Sequence, residues 1–304
     1  MVIVNYLFMC LIFGTTFLAI KIGVDIGMPP FFSAGIRFFL AGMLLFAYMV
    51  WKRKTSISLL FQKEMLITGV CLTFGTFATL YWAEQYVTSG VAAVLSATGP
   101  MLILVIQNLI LKQKGNRTAF LGCIIGVIGV SLLIFPSISM DTSSLWIYGC
   151  LAIILGEMFY ASGAIYSKQV VNKFQNTHPI ALNAAQMMLG GLLLIVLSFI
   201  TETGQIAFNL SLASLASLFY LIVFGSMIGH SLFYWLVART NPVFPSTWLF
   251  VSPIIAVLLG HAVYQEAISW YTGIGTLTII TGTVLANFQG IRGLVKKKSL
   301  VVES

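Results

Sequence analysis

Glu157 stands about a dozen residues into an apolar run at 146–169, which at a helical rise of about 1.5 Å per residue puts it near the middle of a bilayer. An ionised carboxylate there costs on the order of 3 kcal/mol, so it is expected to face a polar cavity. Two chemistries suit it: binding a substrate ammonium, or taking up a proton, since burial favours the neutral form of a carboxyl. The alternative is a structural carboxyl hydrogen-bonded to a neighbouring helix. Tyr160 lies one turn on, and Trp248 is deep in another apolar run. Rings with a polar handle suit a cavity wall, and rings flanking Glu157 can hold a substrate cation against their faces.

Other polar residues lie in similar runs. Arg37 sits roughly two helical turns (3.6 residues each) into the second run. It can bind a substrate carboxylate bidentately, snorkel outward, or pair with Glu84 or Asp25. Gln186, with Asn183 one turn away, is polar at a similar relative depth and is a candidate for an inner vestibule. His230 and His261 each lie within apolar runs. A lone intramembrane histidine can relay protons, although hydrogen bonding to a neighbouring helix explains it equally well. Tyr81-Trp82 and Tyr234-Trp235 occupy matching places, where aromatics form either an interfacial belt or a cavity wall. Trp82 and Tyr234 are the cavity candidates of those pairs, with Thr15 and Thr16 in the first run. Cys10, Cys71, Cys123 and Cys150 sit inside apolar runs without metal-ligand spacing and read as small buried hydrophobes.

What positions these residues is a membrane. Hydrophobic residues make up 59% of the 304 and charged ones 8%, against roughly 25% charged in soluble domains, so the solvent must be lipid. About ten apolar stretches have the roughly 17–25 residues that span hydrocarbon as helix. They run at approximately 3–21, 31–51, 65–86, 91–111, 118–135, 146–169, 178–200, 213–238, 243–265 and 269–289. They are long and continuous, where barrel strands would be short and alternating. With the N-terminus inside, the cytoplasmic segments hold 14 of the 16 basic residues, all but Lys21 and Arg37. The positive-inside rule then places both termini in the cytoplasm of a multi-pass cell-membrane protein. It also makes the +8 net charge an orientation signal, with anionic lipid a partner for Lys296–Lys298, and no sign of nucleic-acid binding. The first run lacks a basic flank and a cleavage site, and reads as an uncleaved signal anchor.

The chain also repeats itself. At a shift of 153, Tyr81-Trp82 falls on Tyr234-Trp235, Pro100 on Pro253, Gly122 on Gly275 and Gly129 on Gly282. At 149, Pro30 falls on Pro179 and Arg37–Gly42 on Gln186–Gly191; at 142, Gly14 and Thr15 fall on Gly156 and Glu157. Two halves that each cross the bilayer an odd number of times insert upside down relative to each other, as in many secondary transporters. The expected architecture is all-α, ten transmembrane helices as two inverted five-helix repeats, 1–140 and 141–290, followed by a basic cytoplasmic tail, 291–304. Pro100 and Pro253 are expected in mid-helix, where they break the hydrogen-bond ladder beside a shared cavity, as hinges or as plain kinks. Gly122-x-x-x-Gly126-x-x-Gly129, and Gly273-x-Gly275 with Gly282, bring helix backbones close, within the monomer or at a homodimer contact.

The run from Phe13-Gly-Thr-Thr-Phe to Gly23, then Pro29-Pro30 and Gly35-Ile-Arg-Phe-Phe-Leu-Ala-Gly, resembles the opening of an EamA-type member of the drug/metabolite transporter superfamily. Tyr86-Val-Thr-Ser-Gly through Ala97-Thr-Gly-Pro100 is similar to that family's third-to-fourth helix segment. Glu266, with Gly273 and Gly282, resembles the acidic residue and glycines near its end. Gln113 departs from the pattern, standing where the family often carries an acid matching Glu266. The resemblance implies ten helices, a central cavity, and transport of small metabolites, often export of amino acids or related compounds.

Three classes of function compete. A transporter needs a cavity around Glu157 and a small-molecule substrate, with a coupling proton if the carboxyl titrates. A membrane enzyme needs a nucleophile, metal or acid–base pair; Glu157 and His230 are the only near-central acid and histidine, and no H-E-x-x-H or G-x-S-x-G context is present. A channel would want rings of polar residues, and polar residues here are few and asymmetric. The expected reading is a transporter, not an enzyme, without cofactor or metal. No ATP-binding loop is present to drive primary active transport.

Overall fold

In hydrocarbon a backbone amide has no water to bond, so an apolar run satisfies itself as a helix or a closed barrel. The computed structural model describes residues 1–109, 112, 117–135, 143–202, 211–264 and 270–302; among them the chain is all-helical, with no strand. Gln113, Asp141, Glu266 and the side chains of His261 and Lys296–Lys298 lie outside the described residues. The helices are α1 (Val2–Asp25), α2 (Pro30–Trp51), α3 (Lys63–Ala83), α4 (Ser89–Ser96), α5 (Gly99–Leu109) and α6 (Arg117–Ile134). They continue with α7 (Ser144–Lys173), α8 (Pro179–Thr201), α9 (Leu212–Arg239), α10 (Val243–Ser246), α11 (Trp248–Tyr264) and α12 (Trp270–Val302). Seven described spans are long and apolar enough to cross a membrane, α4 and α5 together supplying one. Three shorter apolar helices, Arg117–Leu133, Val243–Ile255 and Gly273–Phe288, accompany them.

Helix starts follow local rules. Pro30 and Pro179 stand at the first positions of α2 and α8, where a missing N–H costs nothing. His178 caps α8 by accepting from the Ile180 N–H at 3.3 Å, and Ser211 caps α9 by accepting from Ser214 N–H at 3.1 Å. Gly27 takes φ +90° in the turn between α1 and α2, a conformation that side chains resist. Pro100 differs from expectation: α4 ends at Ser96, and Pro100 opens the new helix α5 instead of kinking a continuous one. Pro253 does lie inside α11, yet the break on that side of the molecule falls earlier, at Thr247 between α10 and α11.

Two seams hold the bundle. Along α2 and α8, a Cβ at Gly35 would lie 2.8 Å from Ile195 N, and one at Gly42 2.5 Å from Met188 N. Along α6 and α12, a Cβ at Gly129 would lie 2.7 Å from Ile279 N, and one at Gly275 2.6 Å from Leu133 N. Gly122 and Gly282 sit as close to Ala286 and Gly126. Backbone meets backbone in both seams, the close packing that replaces hydrophobic drive in lipid. Of the glycines read as packing elements, Gly122, Gly126, Gly129, Gly275 and Gly282 are used within the chain, whereas a Cβ at Gly273 would meet nothing within 4 Å.

Polar ties join the helix ends. At the end where Asp25 lies, the Glu202 carboxylate accepts from the Phe31 and Phe32 N–H groups (2.9 and 3.1 Å), tying α8 to α2. Ser217 of α9 donates to Ala19 O of α1, and Lys21 Nζ donates to Glu84 O at 3.1 Å. At the opposite end, where Lys52 lies, Lys168 Nζ donates to Val237 O and Ala238 O, both 2.9 Å, and Lys173 pairs with Glu64 at 2.6 Å. Tyr6 OH and Thr247 Oγ1 share a hydrogen bond of 2.9 Å between α1 and the α10–α11 break.

Candidate functional site

Between these two tied ends lies a cavity walled by α1, α2, α3, α4, α7, α9 and α11. Its polar groups are few and come from different helices: Thr16, Arg37, Thr76, Ser96, Glu157, Tyr160, His230 and Trp248. The rest of the wall is apolar, with Phe13, Phe17, Phe77 and Phe233 prominent.

Glu157 faces the cavity because α7 passes the break between α4 and α5. A Cβ on Gly99 would collide with Glu157 Oε2, so the glycine gives the carboxyl its place against the first residue of α5. Negative charge is favoured at such an N-terminal helix end. The Ser96 hydroxyl faces the same carboxyl. Glu157 is only 6% exposed, and its Oε2 has no hydrogen-bond partner. A buried carboxyl oxygen left free at a cavity wall is available to a ligand or a proton. One turn along, Tyr160 OH accepts from Trp248 Nε1 at 3.3 Å. Trp248 opens α11 just past the Thr247 break and packs against Phe13, ring centroids 4.5 Å apart, and Phe17, 6.1 Å. The aromatic faces and the carboxyl thus lie in one chamber.

Arg37 is on the same cavity and is 1% exposed. Its Nε donates to Ser226 Oγ at 2.8 Å and its Nη1 to Tyr81 OH at 3.2 Å. The guanidinium carbon is 5.3 Å from the Phe77 ring centroid, a cation–π distance. Gly225 makes this possible, since a Cβ there would lie 2.9 Å from Nη2. The ion pairs among the described residues are Lys21–Asp25 and Lys173–Glu64. Arg37 and Glu157 therefore share a cavity without neutralising each other, leaving one cation and one acid to meet a ligand. His230 is held edge-on to Phe13, Phe38 and Phe77, with centroids 5.2, 5.3 and 5.7 Å away.

Other candidates lie elsewhere. Asn183 and Gln186 form a separate buried knot: Gln186 Nε2 donates to Asn183 Oδ1 (3.1 Å) and Thr73 Oγ1 to Gln186 Oε1 (2.8 Å). Their place ties α8 to α3 outside the cavity lining. Tyr234 is buried beside Phe233, away from the lining, and Trp82 meets Tyr86 edge-on with ring centroids 5.1 Å apart. Thr15 hydrogen-bonds Tyr220 of α9, whereas its neighbour Thr16 does line the cavity. Pro100 and Pro253 are not on the wall, although the breaks near them supply Ser96, Trp248 and Leu249. No three His, Cys, Asp or Glu side chains group as a metal site among the described residues.

Two features escaped sequence reasoning. Residues Val70–Gly75 of α3 and Leu221–His230 of α9 are π-helical, and they flank the cavity with Leu72 and His230. Thr76 Oγ1 donates to Cys71 O at 2.8 Å, occupying a carbonyl of the widened turn. π-Bulges recur at functional sites, but no residue pattern announces them. Ser96 and Gly99 were legible only as the polar and small residues next to Pro100.

The family model described as the EamA-like transporter family matches residues 1–135 and again 147–288. The chain belongs to that family of multi-pass membrane proteins, which are transporters and not enzymes. It is 29% identical over 278 residues to the inner membrane transporter YedA of Escherichia coli strain K12, covering 90% of this chain and 87% of that one. It is 28% identical to the protein PagO of Salmonella typhimurium over 92% of this chain and 90% of that one. It is also 26% identical to the transporter YoaV of Bacillus subtilis strain 168, over 91% and 94%. A solved crystal structure superposes with a TM-score of 0.76 at 15% identity, covering 94% of this chain and 97% of the other, which shows a shared fold.

Proposed function

We propose that the chain is a secondary transporter that exports small metabolites, amino acids or related compounds or organic cations, by alternating access. The observation that carries it is the central cavity in which Glu157 and Arg37 face a ligand space without pairing with each other. An amino acid complements such a chamber: ammonium to Glu157 and the rings of Trp248 and Phe13, carboxylate to Arg37. A carboxyl that holds either a proton or a substrate ammonium exchanges one for the other, so a proton moving inward drives a cation outward.

In this reading ten transmembrane helices form two inverted five-helix repeats, 1–140 and 141–290, about a pseudo-two-fold axis in the membrane plane, with both termini cytoplasmic. The two seams support it. They join helices that the repeat relates, α2 to α8 and α6 to α12, as elements astride a two-fold axis would be. The π-helical stretches of α3 and α9 also fall in repeat-matched helices. One set of helices rocks against another about the regions of Pro100 and Pro253.

The test is uptake and efflux by the purified protein in liposomes, screened across amino acids and organic cations with and without a pH gradient. Saturable exchange of at least one compound, accelerated by the gradient, is expected. Failure to exchange any member of either class would remove the reading. Topology is tested separately by cysteine labelling of the Lys52–Lys54 loop in intact cells, where labelling from outside would overturn it.

A further inference from the structure

The strongest unused chemistry lies beyond the cavity. Glu84 follows the last residue of α3 and is fully buried, 0% exposed, with neither carboxyl oxygen hydrogen-bonded. It does not line the cavity. The charged groups that act on it are Lys21 and Asp25 of α1 and Arg37 of α2, with Tyr81 one turn back on α3. From α7, Trp146 and Cys150 pack against the same apolar cluster, which includes Ala83 and Val87.

Neither neighbouring cation is bonded to the Glu84 carboxyl. Lys21 Nζ pairs with Asp25 at 2.8 Å and donates to the backbone carbonyl of Glu84, not to its carboxyl. Arg37 is bound to Ser226 and Tyr81. An ionised carboxylate without partners in such a place is strongly disfavoured, whereas a neutral carboxyl carries no such penalty. The contacts of Lys21 with Glu84 O and of Ser217 with Ala19 O close the Asp25 end of the bundle. Water entering that end would let the carboxyl ionise and take Lys21 as its counter-ion.

We propose that Glu84 is a second proton-binding site, separate from the substrate cavity, whose protonation holds the Asp25 end closed and whose ionisation opens it. The sign follows from the contacts: acid favours the buried neutral carboxyl and the closed end, and alkali favours the solvated carboxylate and the open end. The proposal rests on alternating access, in which that end must open in every cycle. It adds a control on opening that Glu157 does not supply.

The experiment needs no substrate. Spin labels are placed at the exposed positions Ile22 of α1 and Tyr148 of α7 in the full-length protein in lipid nanodiscs, and pulsed EPR distances are recorded from about pH 5 to about pH 9. The wild type is expected to shift toward longer distances as pH rises. Glu84→Gln should keep the short distance throughout, with the loss of a protonated-carboxyl band from the pH-difference infrared spectrum. A wild type without the shift, or a folded Glu84→Gln that keeps it, overturns the proposal. If Glu84→Gln does not fold, Lys21→Gln decides: removal of the counter-ion should move the midpoint to higher pH, and an unmoved midpoint overturns the proposal. Liposome exchange of amino acids is read separately, so absence of transport with an intact Glu84-dependent shift counts against the transport reading alone.

Discussion

The α6–α12 seam and the central cavity both depend on glycines, yet they do opposite things with space. In the seam, Gly122, Gly129, Gly275 and Gly282 remove side chains so that backbones touch. In the cavity, Gly99 and Gly225 remove side chains so that a carboxyl and a guanidinium can occupy the room instead. The helices at the seam run unbroken, whereas several at the cavity are interrupted, at Ala97–Thr98, at Thr247 and by two π-helical stretches. Small residues in a membrane protein therefore have two uses: a dry contact that resists motion, and a notch that admits a polar group. Which use applies depends on what the neighbouring helix presents.

Substitutions separate the two uses by what they damage. The largest effect is expected from Gly282→Leu, which must push α12 off Gly126 and the Gly122 carbonyl. Overpacking costs about 1–3 kcal/mol even where side chains can yield, and here backbone is struck. Little monodisperse protein should survive detergent extraction, and normal yield with a normal melting temperature would mean that the seam is not rigid.

Glu157→Gln should do the reverse, leaving yield and melting temperature intact because an amide is cheaper at that depth than a carboxylate. Exchange in liposomes should fall by at least about tenfold, equivalent to roughly 1.4 kcal/mol, or lose its dependence on the pH gradient. A wild-type rate with an unchanged pH profile would make Glu157 structural and shift attention to Arg37. Gly99→Ala sharpens the point, since the added methyl strikes Glu157 Oε2. Its transport defect should resemble that of Glu157→Gln in a protein that still folds.

Pro100→Ala and Pro253→Ala probe whether the interruptions move. A slower exchange rate at unchanged abundance is expected for each. Equal losses of rate and abundance would leave the prolines as plain structural features. The smallest effect is expected at His178, outside both regions, where only the α8 cap is lost. His178→Ala should lower stability by about 1 kcal/mol, read as a small drop in melting temperature, with exchange unchanged.

Much of this was legible from residues alone, for a physical reason. Lipid offers no hydrogen bonds, so the apolar runs had to be helices, and about 150-residue self-similarity marked which helices correspond. The helical glycines announced close packing, and Glu157, too costly to leave in hydrocarbon, announced a cavity. Tertiary structure decided what spacing cannot express. Arg37 could face Glu84, lipid or substrate by sequence, and it is the position of Ser226 on a π-helical turn of another element that turns it to the cavity wall. Asn183 and Gln186 looked equally suited to a vestibule, but Thr73 and Ser231 bind them into a knot. Glu84 stood in the sequence only as a possible partner for Arg37, yet it is fully buried and its own backbone carbonyl accepts from Lys21 of α1. Helix identity is a local consequence of solvent, whereas the direction a polar side chain faces depends on neighbours some 40 to 190 residues away.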